Sequence, residues 1–342
     1  DKDKAMGAVD GHKVVARILK NITKNRYKGE VIKIIGHKND PGVDILSIVY
    51  KYEINDSFPD EVIKELDSIP EEVSSKEKIG RKDLTNEVIF TIDGDDTKDI
   101  DDAISIEVLE NGNYKLGVHI ADVSYYVKEG SALDKEAMDR GTSVYLVDRV
   151  IPMLPHKLSN GICSLNPGVE RLAISCVMEV DQNGKTVDYQ IFESVIKSRI
   201  QMTYKKVNQV IEKNEIPDGY EPYVQKLKLM DELSKIIRKN KENRGYIDFD
   251  VDEAKILVDE KCHPTDVILR SRGRGENIIE DFMIQANECV ATHIFYMDLP
   301  FIYRIHEYPK EEKIRDFISF VQSLGYTINF NLKDVSPKSI QK

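Results

Sequence analysis

The chain has 342 residues, enough for about two domains, and 41% of them are hydrophobic, so a sizeable core is possible. No apolar run approaches the roughly 18 residues that cross a bilayer, and the opening Asp1-Lys2-Asp3-Lys4 lacks the basic-then-apolar order of a secretory signal. The net charge of −11 excludes a protein whose entire surface grips nucleic acid, while leaving room for an acidic metal centre beside a locally basic channel.

Along the chain, His12–Leu19 and Tyr27–Ile35 partly alternate apolar and polar residues, which predicts two half-buried strands joined by a basic turn over Lys20–Arg26. Small barrels of the OB or cold-shock type are built this way and bind single strands; an ordinary small β-subdomain fits the spacing equally well. Too few strands precede residue 40 for a five-stranded barrel, so a partial one is expected. Asp40-Pro41-Gly42, Phe58-Pro59 and Ile69-Pro70 mark residues 37–82 as a linker with one short helix, Asp60–Leu66. The composition shifts near Asp83, and the division expected is 1–75 and 76–342.

The second part begins with strands. Glu87–Ile92, Ala103–Val108 and Tyr114–Ile120 read as strands, the last two forming a hairpin about Asn111-Gly112-Asn113. Leu133–Arg140 reads as a helix, and Leu172–Val180 with Val187–Ile196 as a further strand pair. Beyond residue 203 the period becomes helical over Tyr204–Lys213, Tyr223–Asn240, Asn277–His293 and Lys310–Leu324. The fold class is therefore α+β, a partial OB-type β-barrel followed by a mixed α/β domain. The cysteines Cys163, Cys176, Cys262 and Cys289 contain no C-x-x-C pair, which argues against structural zinc. Their wide spacing predicts reduced thiols and a cytoplasmic protein.

The most informative stretch is Thr91-Ile92-Asp93-Gly94-Asp95-Asp96-Thr97-Lys98-Asp99-Ile100-Asp101-Asp102-Ala103, with six aspartates between two predicted strands. Carboxylates confined to one turn repel each other unless a cation binds, and a hard divalent ion with oxygen ligands suits them. An EF-hand fails: counted from Asp93, the sixth position is Lys98 where glycine is needed. A solvated acidic turn is the plain alternative. Ile92 and Ile100 count against it, because they draw the loop towards a core.

Asp93, Asp99, Asp101 and Asp102 fill the pattern T-I-D-x5-D-x-D-D, and other segments follow in order: His119–Val127, Arg140–Leu146, Pro152–Pro155, Leu158–Asn160, Cys163–Pro167 and Tyr303–Glu307. With these motifs the chain resembles the ribonuclease R/ribonuclease II family from about residue 8 to its end, closer to ribonuclease R, with residues 8–75 similar to part of a cold-shock domain and the rest to an RNB catalytic domain. The resemblance implies a Mg²⁺-dependent hydrolytic 3′→5′ exoribonuclease that degrades single-stranded RNA processively to nucleoside 5′-monophosphates. It implies one or two Mg²⁺ ions on Asp93, Asp99, Asp101 and Asp102, with Asp101 positioning a metal or the attacking water. Asp95 and Asp96 fall outside the pattern and are expected to be solvated.

The same resemblance gives Tyr145 the role of stacking on the 3′-terminal base, a contact that contributes about 1–3 kcal/mol and tolerates any sequence; without the motif, a core strand tyrosine is the simpler reading. Phe249 matches a second stacking aromatic. Glu280-Asp281 matches an acidic pair of which one member contacts RNA, although the family pattern is Glu-Glu. Arg272 lies in the basic turn Arg270–Gly275, where phosphate contact and a solvated loop both stand. His119, His156 and His306 are expected to be structural or phosphate-contacting.

A Thr-Ser-Pro-Ile-Arg-Arg-Tyr segment, whose arginine the family sets against the scissile phosphate, is not found in residues 300–342. The first residue is not Met. The stretch is therefore expected to be a piece of a longer, monomeric exoribonuclease that binds Mg²⁺ but is weakly active by itself. The competing reading is an RNA-binding fragment with an incomplete, inactive catalytic site. A metal-dependent phosphatase would share the acidic cluster but explain neither Tyr145 nor the barrel-like start.

Overall fold

The computed structural model describes residues 2–247, 253–270, 272–305, 307–327 and 336–341. It separates into two compact units that interleave along the chain: one gathers 1–71, 123–161 and 252–271, the other 72–122, 162–251 and 272–342.

In the first unit, strands His12–Thr23 and Arg26–His37 form an antiparallel hairpin with several register shifts. The predicted basic turn over 20–26 is mostly strand. Thr23 pairs with Arg26, leaving only Lys24-Asn25 at the tip, because a two-residue loop follows the natural twist of paired strands. The supposed linker holds two helices, not one: Asp60–Leu66 as expected, and Val43–Lys51. The latter begins after Gly42, whose φ of 76° is open to glycine at little cost, and buries Val43 and Val49. Helix Ala132–Arg140 is capped by the Ser131 hydroxyl, which accepts from the Asp134 amide, and ends at Gly141. The Leu133 amide donates to Glu65 at 3.0 Å, tying this helix to Asp60–Leu66. A short pair, Val144–Tyr145 with Val150–Ile151, and a hairpin, Glu253–Val258 with Pro264–Arg270, complete the unit. That hairpin lies between two of the expected helices, in a stretch for which no element was predicted.

The second unit is built on a five-stranded sheet in the order Lys82–Asp83, Thr186–Lys197, Glu170–Val180, Tyr114–Ala121, Asp102–Val108, antiparallel except at its first pairing. Alternation decides its faces. Ile104, Ile106, Leu116, Val118, Cys176 and Met178 are buried on one side, where they meet Val207, Leu227, Met230, Leu233, Ile278 and Phe282 from helices Tyr204–Lys213, Val224–Arg244 and Arg274–Tyr296. The expected strand Glu87–Ile92 shrinks to Thr91–Asp93, which pairs in parallel with Gln201–Thr203; Phe90 makes only a single bridge, to Ile104. The other predicted strands and helices of this unit are present, with ends shifted by a few residues.

The opposite sheet face carries a polar line. His119 bonds Ser105 Oγ through Nε2 at 3.1 Å and Ser175 Oγ through Nδ1 at 2.7 Å; Ser175 Oγ meets Ser194 Oγ at 2.7 Å, and Ser194 donates to the Ala173 carbonyl at 3.2 Å. Gly117 faces it on the same strand as His119. A Cβ there would collide with Ser105 Oγ and lie 2.8 Å from His119 Nε2. The imidazole is buried and held on both nitrogens, so it has little freedom to retreat. Gly117→Ala is therefore expected to destabilise the protein by about 1–3 kcal/mol, measured by urea unfolding; an unchanged midpoint would show that the line yields easily.

All four cysteines are free, in agreement with the reduced thiols expected. Among the described residues, no helix is long and apolar enough to cross a membrane.

Candidate metal centre

The acidic loop hangs between two fixed ends. Asp93 closes the strand Thr91–Asp93 and pairs with Thr203; Asp102 opens the strand Asp102–Val108 and pairs with Ile120. Ile92 and Ile100 are wholly buried, as the hydrophobic pattern required. Backbone bonds pin the segment between: the Leu165 amide donates to the Ile100 carbonyl at 2.9 Å, the Ala121 amide to the Asp101 carbonyl at 2.9 Å, and the Gln201 side-chain amide to the Thr97 carbonyl at 3.1 Å. Asp95 and Asp96 point to solvent, as expected.

The remaining four aspartates differ in exposure. Asp93 keeps 9% of its surface; Asp99 and Asp102 are half-buried and Asp101 is exposed. Burial, reinforced by the neighbouring Asp102, lifts the Asp93 carboxyl to about 7; Asp101 and Asp99 add to this, and the nearby Thr91 hydroxyl offsets only part. Burial and then Asp101 lift Asp102 to about 6. Asp101 is also raised, by the protein mass around it and by Asp99. One oxygen each of Asp93 and Asp102 is buried without a hydrogen-bond partner. Desolvated, mutually repelling carboxylates with orphaned oxygens need positive charge, and an all-oxygen donor set suits a hard dication. Among the described residues, no three His, Cys, Asp or Glu side chains are already assembled as a metal-holding group. The fit is thus one of donor chemistry and electrostatics.

His119, considered above as structural or phosphate-contacting, is structural. Burial, with a smaller effect from Lys115, drops its pKa to about 3, so the ring is neutral at physiological pH. His156 is exposed, and His306 lies outside the described residues.

Tyr145 stands on the short strand Val144–Tyr145 of the first unit and is 68% exposed, which contradicts the core-tyrosine alternative. Phe249 lies outside the described residues. Glu280 is half-buried and paired with Arg272, within 3.9 Å of Arg238 and 3.4 Å from the Tyr246 hydroxyl. Arg272, for which phosphate contact and a solvated loop both stood, is thus ion-paired with Glu280. Asp281 corrects the sequence reading more sharply. It has 0% exposure and is ringed by Lys241 Nζ at 3.1 Å, Arg238 Nε at 3.3 Å and the Ser234 hydroxyl at 2.8 Å. A carboxylate so enclosed anchors the two long helices to each other and cannot touch an RNA in this arrangement.

Two groups near the loop were not singled out from sequence. Arg81 and Asp122 form a buried ion pair, and Asp122 directly follows Ala121, whose amide holds Asp101. Ser164, inside the motif Cys163–Pro167, is buried against the loop backbone.

The cold shock domain family matches residues 1–59 and the RNB domain family residues 81–342. Ribonuclease R 1 of Lactococcus lactis is 50% identical over 315 residues, covering 92% of this chain and 39% of the relative. Ribonuclease R of Thermotoga maritima is 47% identical over 340 residues, covering 98% and 48%. The structure of Mycoplasma genitalium RNase R in complex with ribose methylated single-stranded RNA superposes with a TM-score of 0.93 at 30% identity, covering 98% of this chain and 52% of that one. The chain spans less than half the length of these two curated relatives. With its aspartate signature set between the strands described and its match running over residues 81–342, the chain belongs to the RNB-domain family, among relatives named ribonuclease R.

Proposed function

We propose that this chain carries the metal centre of a hydrolytic exoribonuclease that degrades RNA processively from its 3′ end to nucleoside 5′-monophosphates. The observation that carries the reading is the carboxylate pair Asp93, buried, and Asp102, half-buried, each with an orphaned oxygen and a raised pKa. Asp93, Asp99, Asp101 and Asp102 would hold one or two Mg²⁺ ions. When bound, the metal would neutralise charge building on the phosphate and leaving oxygens. Asp101, the exposed member, is assigned to orient the attacking water and accept its proton. Tyr145, which is 68% exposed, is assigned to stack on the 3′-terminal base. Phe249 is assigned a second stacking contact on family resemblance. Glu280 and Arg272 are assigned to the RNA backbone, a role in which their mutual ion pair would open; Asp281 is given no RNA contact. That the Mycoplasma relative holds single-stranded RNA supports the same substrate class here. The protein is proposed to act in the cytoplasm as a monomer.

A 5′-labelled single-stranded RNA, incubated with Mg²⁺, with EDTA and with Asp101→Asn, tests the reading. The expected result is a ladder shortening from the 3′ end, lost in EDTA and slowed about 100-fold or more in the variant. Shortening that ignores both would overturn it. The second reading, an RNA-binding part without a competent centre, is favoured by the absence of a preassembled metal group among the described residues; RNA retention without any cleavage, in the presence of Mg²⁺, would establish it.

A further inference from the structure

The acidic loop has to keep several like charges close together before any cation arrives. Its two ends are held by strands, but Asp99 sits in the irregular middle, where no ladder fixes it. One side chain from outside the loop does. Ser164 has 0% exposure. Its Oγ accepts the Ile100 amide at 3.1 Å and donates to the Lys98 carbonyl at 2.8 Å. These two residues flank Asp99, so a single hydroxyl grips the backbone on both sides of that carboxylate. The Asn166 side-chain oxygen is a weaker rival for the same proton at 3.4 Å; the shorter contact to Lys98 takes it.

Ser164 is itself held from behind. Its carbonyl accepts from Arg171 Nε at 2.9 Å, and the next residue, Leu165, donates its amide to the Ile100 carbonyl at 2.9 Å. The amide and carbonyl of Ile100 are thus both occupied by the segment 164–165. Without the hydroxyl, the Ile100 amide and the Lys98 carbonyl would lose the side chain that joins them, and the loop would relax outward under its own charge.

We propose that Ser164 is a positioning residue for the metal centre, clamping the Lys98–Ile100 backbone so that the Asp99 carboxylate stays beside Asp101. The inference rests on the metal reading above. Its role resembles that of outer partners that orient metal ligands, whose loss weakens metal binding by about 10- to 100-fold.

Mn²⁺ serves as the probe, titrated into the whole chain and followed by its paramagnetic resonance signal. The unaltered protein, Ser164→Ala and Leu227→Ala are compared, the last placing a cavity in the helical layer that packs on the sheet. Ser164→Ala is expected to weaken Mn²⁺ binding about 10- to 100-fold, while Leu227→Ala lowers the unfolding midpoint but leaves the affinity within about twofold, because it removes no hydrogen bond to the acidic loop. Equal affinity in Ser164→Ala and the unaltered protein would overturn the positioning role. So would an equal loss in both variants, which would mark general loosening. If the unaltered protein fails to bind Mn²⁺, the metal reading itself falls, and this inference with it. One measurement needs no variant: amide exchange at Ile100 should be slow in the unaltered protein, and exchange at the rate of an open loop would sink the clamp directly.

Discussion

Asp93→Asn is expected to stabilise the metal-free protein at neutral pH while abolishing its divalent-ion binding. A carboxyl whose pKa rises from 3.8 when unfolded to about 7 when folded holds its proton longer in the native state. The native state is therefore favoured at low pH, and that advantage drains away as the pH climbs from about 4 through about 7. By neutral pH the cost approaches roughly 4 kcal/mol if burial acts at full strength, and about 2–4 kcal/mol is a fair expectation because the neighbouring carboxylates titrate together. Asparagine removes the charge and escapes this cost. Urea unfolding in EDTA should show the variant ahead at pH 7.5 and the two proteins converging near pH 4. Saturating Mg²⁺ should reverse the order, since only the parent gains stability by binding. A variant less stable than the parent in EDTA at pH 7.5 would refute the desolvated-carboxylate picture.

The second large effect is expected at Asp281. Removing this carboxylate leaves Lys241 as a buried cation without its acceptor and takes the nearer of two acidic neighbours from Arg238. Breaking one side of a buried ion pair typically costs about 3–5 kcal/mol, because the remaining charge has lost both its water and its partner. Asp281→Ala should therefore lower the urea midpoint sharply while leaving RNA affinity of the folded fraction unchanged, measured well below the unfolding temperature. A variant that folds normally but loses RNA would restore the contact first read from the sequence.

That misreading has a legible cause. Glu280 and Asp281 are adjacent letters, but successive helix residues point about 100° apart. Asp281 lies three residues beyond Ile278, on the face that packs inward, whereas Glu280 turns towards Arg272. Placing the pair on the apolar stripe of Arg274–Tyr296 would have separated their roles. The acidic loop was easier, because Ile92 and Ile100 bracket it with apolar residues that can only go inward. The strands of the large sheet were readable for the same reason: one face is buried and the sequence alternates accordingly. The hairpin Glu253–Arg270 gave no such signal, since the described residues of both strands are largely exposed. Helix Val43–Lys51 was hidden by its Val and Ile content, which favours strands, and by its length of nine residues. Ser164 was out of reach in a different way: what it does depends on backbone atoms 64 and 66 residues earlier.

The line of hydroxyls about His119 has two self-consistent directions, and the tautomer of the ring follows the one taken. If Ser194 gives its hydrogen to the Ala173 carbonyl, Ser175 donates to Ser194 and accepts from His119 Nδ1, and Nε2 takes the hydrogen of Ser105. If Ser194 gives it to Ser175, at the shorter 2.7 Å, every bond reverses: Ser175 donates to Nδ1, and Nε2 donates to Ser105. A neutral imidazole, with one N–H, satisfies either set. The buried ring thus stays uncharged and bonded on both nitrogens whichever way the line runs, so its protons can be rearranged without a charge appearing inside the sheet.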